Sequence, residues 1–161
     1  MSNSKQNQSG IYDNRERGSV GDFLKSKVGI NSTLSIVSAY FTIYAFESLK
    51  DQLKQIEKLR FLFGEPRFIQ SLDPDKTDKK SFKIEDENIQ LRSRLKQNQV
   101  AKDCADWIRD KVEIYSVKTS NLLHGKMYHV ANNGVEEAIL GSSNFTVRGL
   151  GLSSVQRNNI E

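Results

Sequence analysis

His124-Gly125-Lys126 and, at the end of the next apolar run, Gly141-Ser142-Ser143-Asn144 gather an imidazole, an ammonium, an amide and a hydroxyl in one short segment. Apart from these groups the segment reads as two β-strands joined by a turn. Side chains alternate faces along a strand, so His124 and Lys126, two residues apart, are expected to point the same way. Such a set suits a phosphodiester. The substrate is anionic and its transition state gathers further charge on the non-bridging oxygens, where Lys126, Asn144 and the Ser142 hydroxyl can supply fixed donors. Gly141 lets the backbone come close to a phosphate, and the amides after it add donors. His124 is the nucleophile of the group: attack on phosphorus would give a phosphohistidine that water then resolves. That chemistry needs no metal or other cofactor. With two histidines, one cysteine and no His-Glu-x-x-His spacing, the chain offers no obvious metal site.

These residues need elements to hold them. Val20, Phe23, Leu24 and Val28 fall on one helical face, with Gly29 as a stop. Leu34 to Phe41 reads as a mostly buried strand. Phe46, Leu49, Leu53 and Ile56 have the spacing of an amphipathic helix, with Glu47, Lys50, Asp51, Lys54 and Glu57 on its outer side. Leu59 to Phe63 is a second strand, the alternative being that it prolongs the helix. Strand, helix, strand predicts a parallel pair with a right-handed crossover. Between Glu65 and Gln99 the chain is polar and broken by Pro66 and Pro74, although Ile84, Leu91 and Leu95 could line a helix. The basic residues here (Lys76, Lys79, Lys80, Lys83, Arg92, Arg94, Lys96) are interspersed with acids, which favours a solvated face over a nucleic-acid contact. Val100, Cys104, Trp107 and Ile108 make another amphipathic helix, on whose apolar side Cys104 is expected to be buried and inert. Strands follow over Val112 to Val117, His124 to Ala131 and Val135 to Leu140. The Asn132-Asn133-Gly134 turn between the last two is a hairpin signal, and it predicts that Gly141 to Asn144 return to the vicinity of His124. The fold class expected is α/β: a mixed, largely parallel sheet flanked by helices.

The 161 residues suit one domain, over about residues 11–161, after a polar tail at 1–10 expected to be disordered. A charged content of 27% and a hydrophobic content of 37% are those of a globular protein. No apolar run approaches the roughly 20 residues of a membrane-spanning helix, and the N-terminus has no secretory pattern. A single cysteine excludes an intramolecular disulfide, and a cytoplasmic location is expected. The net charge of +4 leans only slightly toward an anionic partner.

A lone His-x-Lys on a strand is commonly a surface accident, but Gly-Ser-x-Asn one hairpin later changes its meaning. His124, Lys126, Gly141, Ser142 and Asn144 match the signature of the phospholipase D superfamily, and the chain resembles that family from about Ile11 to Glu161. It is most similar to the nuclease-like members found at the N-termini of bacterial helicases and in some metal-independent restriction enzymes. Asp13-Asn14-Arg15, Val20-Gly21-Asp22 and the Phe145 to Leu150 segment also resemble that subgroup, though with much less specificity.

The resemblance implies a phospholipase D-like half-domain and an acid that orients the histidine. Glu161 is the natural candidate for that role, since an imidazole nucleophile needs its other nitrogen held, the alternative being a solvent-facing terminal glutamate. The chain would then be a piece of something longer. One departure is Ala131, which stands where the fuller motif has an aspartate and makes lipid-type activity less expected. His129, an odd number of residues from His124, falls on the opposite strand face and is expected to pack or meet solvent. Single-motif members of the family dimerise to bring two histidines to one site, the second protonating the leaving alkoxide. The implied protein is a homodimeric, metal-independent DNA nuclease, a module beside a helicase or recognition domain in the same longer chain, with no membrane partner. Two other readings stay open: a nucleic-acid-binding or dimerisation module without turnover, and a lipid phosphodiesterase.

Overall fold

The structure, a computed structural model, describes residues 10–63, 94–117 and 125–152. Ser19 starts helix α1 (Val20–Lys27): its hydroxyl accepts from the Asp22 N–H at 2.9 Å, and the Ser19 N–H donates to the Asp22 carboxylate at 3.3 Å. This reciprocal cap satisfies two backbone donors at the helix start. Val20, Phe23 and Leu24 turn inward at the expected spacing. Strand β1 (Thr33–Ser38) alternates strictly, with Leu34, Ile36 and Ser38 buried. It stops short of the expected Phe41. The Ser38 hydroxyl bonds both the N–H and the C=O of Tyr40, at 3.3 and 2.7 Å, and this local turn takes the backbone out of the ladder.

The helix expected across Phe46 to Ile56 is in fact two, α2 (Ile43–Ser48) and α3 (Lys50–Gln55). They part at Leu49, whose φ of −117° and ψ of 14° are not helical. Ser48 donates its hydroxyl back to the Tyr44 carbonyl at 2.8 Å, a bond of the kind that bends helices. Phe46, Leu49, Leu53 and Ile56 are nonetheless all buried, so the break re-aims the chain while keeping its apolar face on the core. Ile56 is extended, and β2 (Lys58–Phe63) is a strand rather than more helix, with Leu59, Phe61 and Phe63 inside. Helix α4 (Arg94–Lys111) buries Val100, Cys104 and Trp107, and the Trp107 indole donates to the Leu53 carbonyl at 2.9 Å. The Lys111 ammonium closes the end of α3 by donating to the Lys54 and Ile56 carbonyls at 2.9 and 2.6 Å. The readings made for residues 1–9, for Ile84 and Leu91, and for the basic residues from Lys76 to Arg92 lie outside the described residues. So do those for the side chains of Arg94, Leu95 and Lys96.

Strands β3 (Val112–Ser116), β4 (Lys126–Asn132) and β5 (Val135–Gly141) complete a five-stranded sheet of order β3-β2-β1-β4-β5. The β1–β2 and β2–β3 pairs are parallel, and the β1–β4 and β4–β5 pairs antiparallel. The sheet is therefore mixed and only partly parallel, a correction to the expected predominance of parallel pairing. The expected hairpin accounts for one antiparallel pair, since Asn133 and Gly134, at φ of 50° and 79°, form a tight turn too short to join parallel strands; the second comes from β4 running against β1.

Strand residues of the core (Leu34, Ile36, Leu59, Phe61, Phe63, Tyr128, Val130) all belong to one face, where they join the buried residues of the helices in one cluster. The other face carries Lys58, Arg60 and Glu113, with Lys58 and Glu113 ion-paired. Among the described residues no helix is long and apolar enough to cross a membrane.

Candidate phosphodiester site

The hairpin register brings the two halves of the motif together. Lys126, the first residue of β4, pairs with Gly141, the last of β5. On the other side of β4, Val37 pairs with Met127, so the next step of that antiparallel register sets Ser38 beside Lys126. Lys126 is half-buried and shares a strand face with the buried Tyr128 and Val130. Ser142 is exposed, and its hydroxyl has no hydrogen-bond partner among the described residues. A Cβ added at Gly141 or Gly125 would meet no atom of the described residues within 4 Å, so none of those residues fills the space beside the paired ends of β4 and β5.

Asn144 is fastened where β1 ends. Its side-chain Oδ1 lies 3.1 Å from the Ala39 N–H and 3.2 Å from the Ser38 hydroxyl. The next residue is tied to the same place: Phe145 donates its N–H to Ser38 Oγ at 2.9 Å and accepts from the Thr42 N–H at 3.1 Å. Its ring stacks on Phe41 at 5.1 Å between centroids and meets Phe61 edge-on at 6.1 Å. An aromatic cluster thus underlies the asparagine.

The segment that follows is held from the N-terminal side. Asn14, at φ 59°, donates its amide to the Gly149 carbonyl at 2.9 Å and accepts from the Val20 N–H at 3.0 Å. The Gly21 N–H donates to the Leu150 carbonyl at 2.8 Å. Gly149 sits so close to Asn144 that a Cβ there would lie 2.3 Å from the Asn144 carbonyl oxygen. Tyr128, buried under the sheet end, donates its hydroxyl to the Ser143 carbonyl at 2.8 Å, and burial pushes its phenol well above the usual range. Ser38 and Tyr128 were not singled out from the sequence, and Asn14 entered only as part of the Asp13-Asn14-Arg15 stretch of the resemblance, with no role attached. Ser38 left a signal: it is a serine where the Leu34, Ile36 alternation calls for a third apolar core residue.

Of the residues expected to do chemistry, Lys126, Gly141 and Asn144 converge on one edge, with Ser142 between the last two. His124 and Glu161 lie outside the described residues. Ala131 pairs with Thr33 and Glu136, and it lies on the strand face opposite Lys126. Five residues further along β4, it stands about 17 Å from the site edge at ordinary strand rise. His129 is on the face opposite Tyr128, three-quarters covered, with its Nε2 3.1 Å from the Glu136 carboxylate. Cys104 is buried, and burial pushes its thiol up to about 12, so it carries no nucleophile. No protein-family model, curated protein or solved structure matches the chain.

Proposed function

We propose that the chain is a phosphodiesterase of the phospholipase D kind that cleaves DNA without a metal ion. The observation that carries the reading is the convergence of Lys126, Gly141 and Asn144 on one sheet edge through the β4–β5 register and the anchoring of Asn144 at the end of β1. Residues far apart in type but alike in purpose, a cation and an amide, then face one anion.

In the proposed reaction an imidazole nitrogen of His124 attacks phosphorus, and the bond to the leaving oxygen breaks. That alkoxide takes a proton from the partner's His124, brought to the same site by a two-fold homodimer. Water, giving its proton to the same group, attacks the phosphohistidine and frees the phosphomonoester and His124. Lys126, Asn144 and Ser142 hold the non-bridging oxygens, and Glu161 orients the nucleophile. A helicase or recognition domain of a longer chain would deliver the DNA. Ala131 takes nothing from this scheme, because its position is on the far face and remote from the edge.

Purified protein should nick plasmid DNA in excess EDTA, and His124→Ala should abolish the nicking while leaving the urea midpoint unchanged. DNA binding without cleavage would assign a binding module instead, and turnover of a fluorescent phospholipid in the same buffer would assign a lipid enzyme.

A further inference from the structure

The Ala39 N–H can only donate, so the Asn144 atom 3.1 Å from it must be the amide oxygen. This settles the rotation of the amide: its NH2 end turns away from the β1 backbone and has no hydrogen-bond partner among the described residues. Ser38 holds the same oxygen at 3.2 Å and, through the Phe145 N–H at 2.9 Å, the backbone next to it. Ser38 is itself fully buried, and its one hydroxyl proton serves Asn144 Oδ1 and the Tyr40 carbonyl, 2.7 Å away. The Ser38 hydroxyl therefore reaches both the side chain and the following peptide of Asn144, and it shares the amide oxygen with the Ala39 N–H. A serine at a core position of a strand carries a desolvation cost that an apolar residue would avoid, and these bonds offset it.

We infer that Ser38 is a positioning residue for phosphodiester cleavage, aiming the Asn144 NH2 group at a non-bridging phosphate oxygen. The inference rests on the reading of Asn144 as a phosphate donor. Ser38 touches no substrate; it acts by keeping Asn144 from rotating or drifting as charge builds on phosphorus, when a fixed donor is worth most. A purely structural serine would instead lower stability and leave the turnover of folded protein alone.

Plasmid cleavage in EDTA, with kcat and KM separated, is to be measured for wild type, Ser38→Ala, Asn144→Ala, the double variant and Trp107→Phe. The last loses a buried hydrogen bond between α4 and α3, to which no site residue contributes, and controls for stability. Asn144→Ala should lower kcat by about 100-fold, the scale for losing one transition-state donor. Ser38→Ala should lower kcat by about 10-fold at near-constant KM, and the double variant should be no slower than Asn144→Ala alone. Losses that multiply in the double variant, or a Ser38→Ala protein that behaves like Trp107→Phe, overturn the inference.

A wild type that cleaves nothing instead refutes the phosphodiesterase reading, and an Asn144→Ala protein as fast as wild type refutes the reading of Asn144 as a phosphate donor. The positioning itself is then decided by NMR of isotope-labelled protein. The Asn144 side-chain NH2 resonances should be dispersed in wild type and move to free-amide positions in Ser38→Ala, and unchanged resonances overturn it.

Discussion

Gly149→Ala puts the packing behind Asn144 to a quantitative test. A Cβ at this position would lie 2.3 Å from the Asn144 carbonyl oxygen and 2.9 Å from both the Asn144 nitrogen and Thr146 Oγ1. Ordinary contact begins near 3.4 Å, so the turn must open by about 1 Å. Two hydrogen bonds end at Gly149 and stretch with it: its N–H to Thr146 Oγ1 at 3.0 Å and its C=O from the Asn14 amide at 2.9 Å. Losing both costs ~2–3 kcal/mol. The alanine gives back ~0.5–1 kcal/mol by narrowing the unfolded ensemble, which leaves a net loss of ~2 kcal/mol. With a urea slope of about 2 kcal/mol per molar, the unfolding midpoint should fall by about 1 M. Displacing Asn144 by a similar distance should lower kcat for EDTA-resistant cleavage by about 100-fold. Gly141→Ala is the matched comparison. Its methyl meets no atom of the described residues, so its unfolding free energy should stay within about 0.5 kcal/mol of wild type while phosphate binding weakens. Equal urea midpoints for Gly149→Ala and Gly141→Ala would refute the reasoning.

Three further outcomes follow from the same geometry. Burial raises the Cys104 thiol from 9.0 to about 12, so the unfolded chain sheds this proton from pH 9 upward while the fold keeps it. The stability due to the neutral thiol is complete below pH 9 and is lost toward pH 12 at about 1.4 kcal/mol per pH unit. Urea midpoints should therefore fall more steeply there for wild type than for Cys104→Ala. Trp107→Phe strips the Leu53 carbonyl of its indole donor and thins the contact with Phe46, whose ring centroid is 5.0 Å away; thermal unfolding should register a loss of ~1–3 kcal/mol. Tyr128→Phe leaves the Ser143 carbonyl without its partner, and a loss of ~1 kcal/mol in urea unfolding is expected.

Much of the sheet was legible because burial on one face imposes a period of two. Leu59, Phe61 and Phe63 alternate on β2 as half-buried strand residues must, and the Asn133-Gly134 pair wrote its turn into the sequence through positive φ. The break at Leu49 was not legible. Helical spacing of Phe46, Leu49, Leu53 and Ile56 describes which residues face the core, and a bent helix satisfies it as well as a straight one. What decides the bend is a hydroxyl bonding back along the chain from Ser48, and serine carries no pattern of its own. The end of β1 escaped for the same reason, since an apolar run through Tyr40 and Phe41 says nothing of the Ser38 bonds that halt the strand. At the candidate site, residue types pointed to Lys126 and Asn144, whereas Ser38, Asn14 and Tyr128 act through contacts 106, 135 and 15 residues away in sequence respectively. Spacing does not encode such pairings.

The topology argues for the same edge without any appeal to the motif. In open α/β sheets the crevice that binds ligands lies beyond the carboxyl ends of the strands, where the strand order reverses. Strand β1 holds that place here: its parallel neighbour β2 lies on one side and β4, running the other way, on the other. The chain leaving β1 turns toward the helices at Ser38, and the segment leaving β5 comes back to meet it, Asn144 against Ser38 and Phe145 against Phe41. Lys126 opens β4 at this same end because an antiparallel neighbour begins where β1 finishes. The carboxyl edge of β1 thus receives a cation from one neighbour and an amide from the returning loop, each carried by a different element, and the loop that carries the amide is fixed from behind by stacked aromatic rings and hydrogen bonds. On the proposed reading, an amide anchored in this way needs little rearrangement to meet a phosphate, which is the physical requirement for stabilising charge in a transition state.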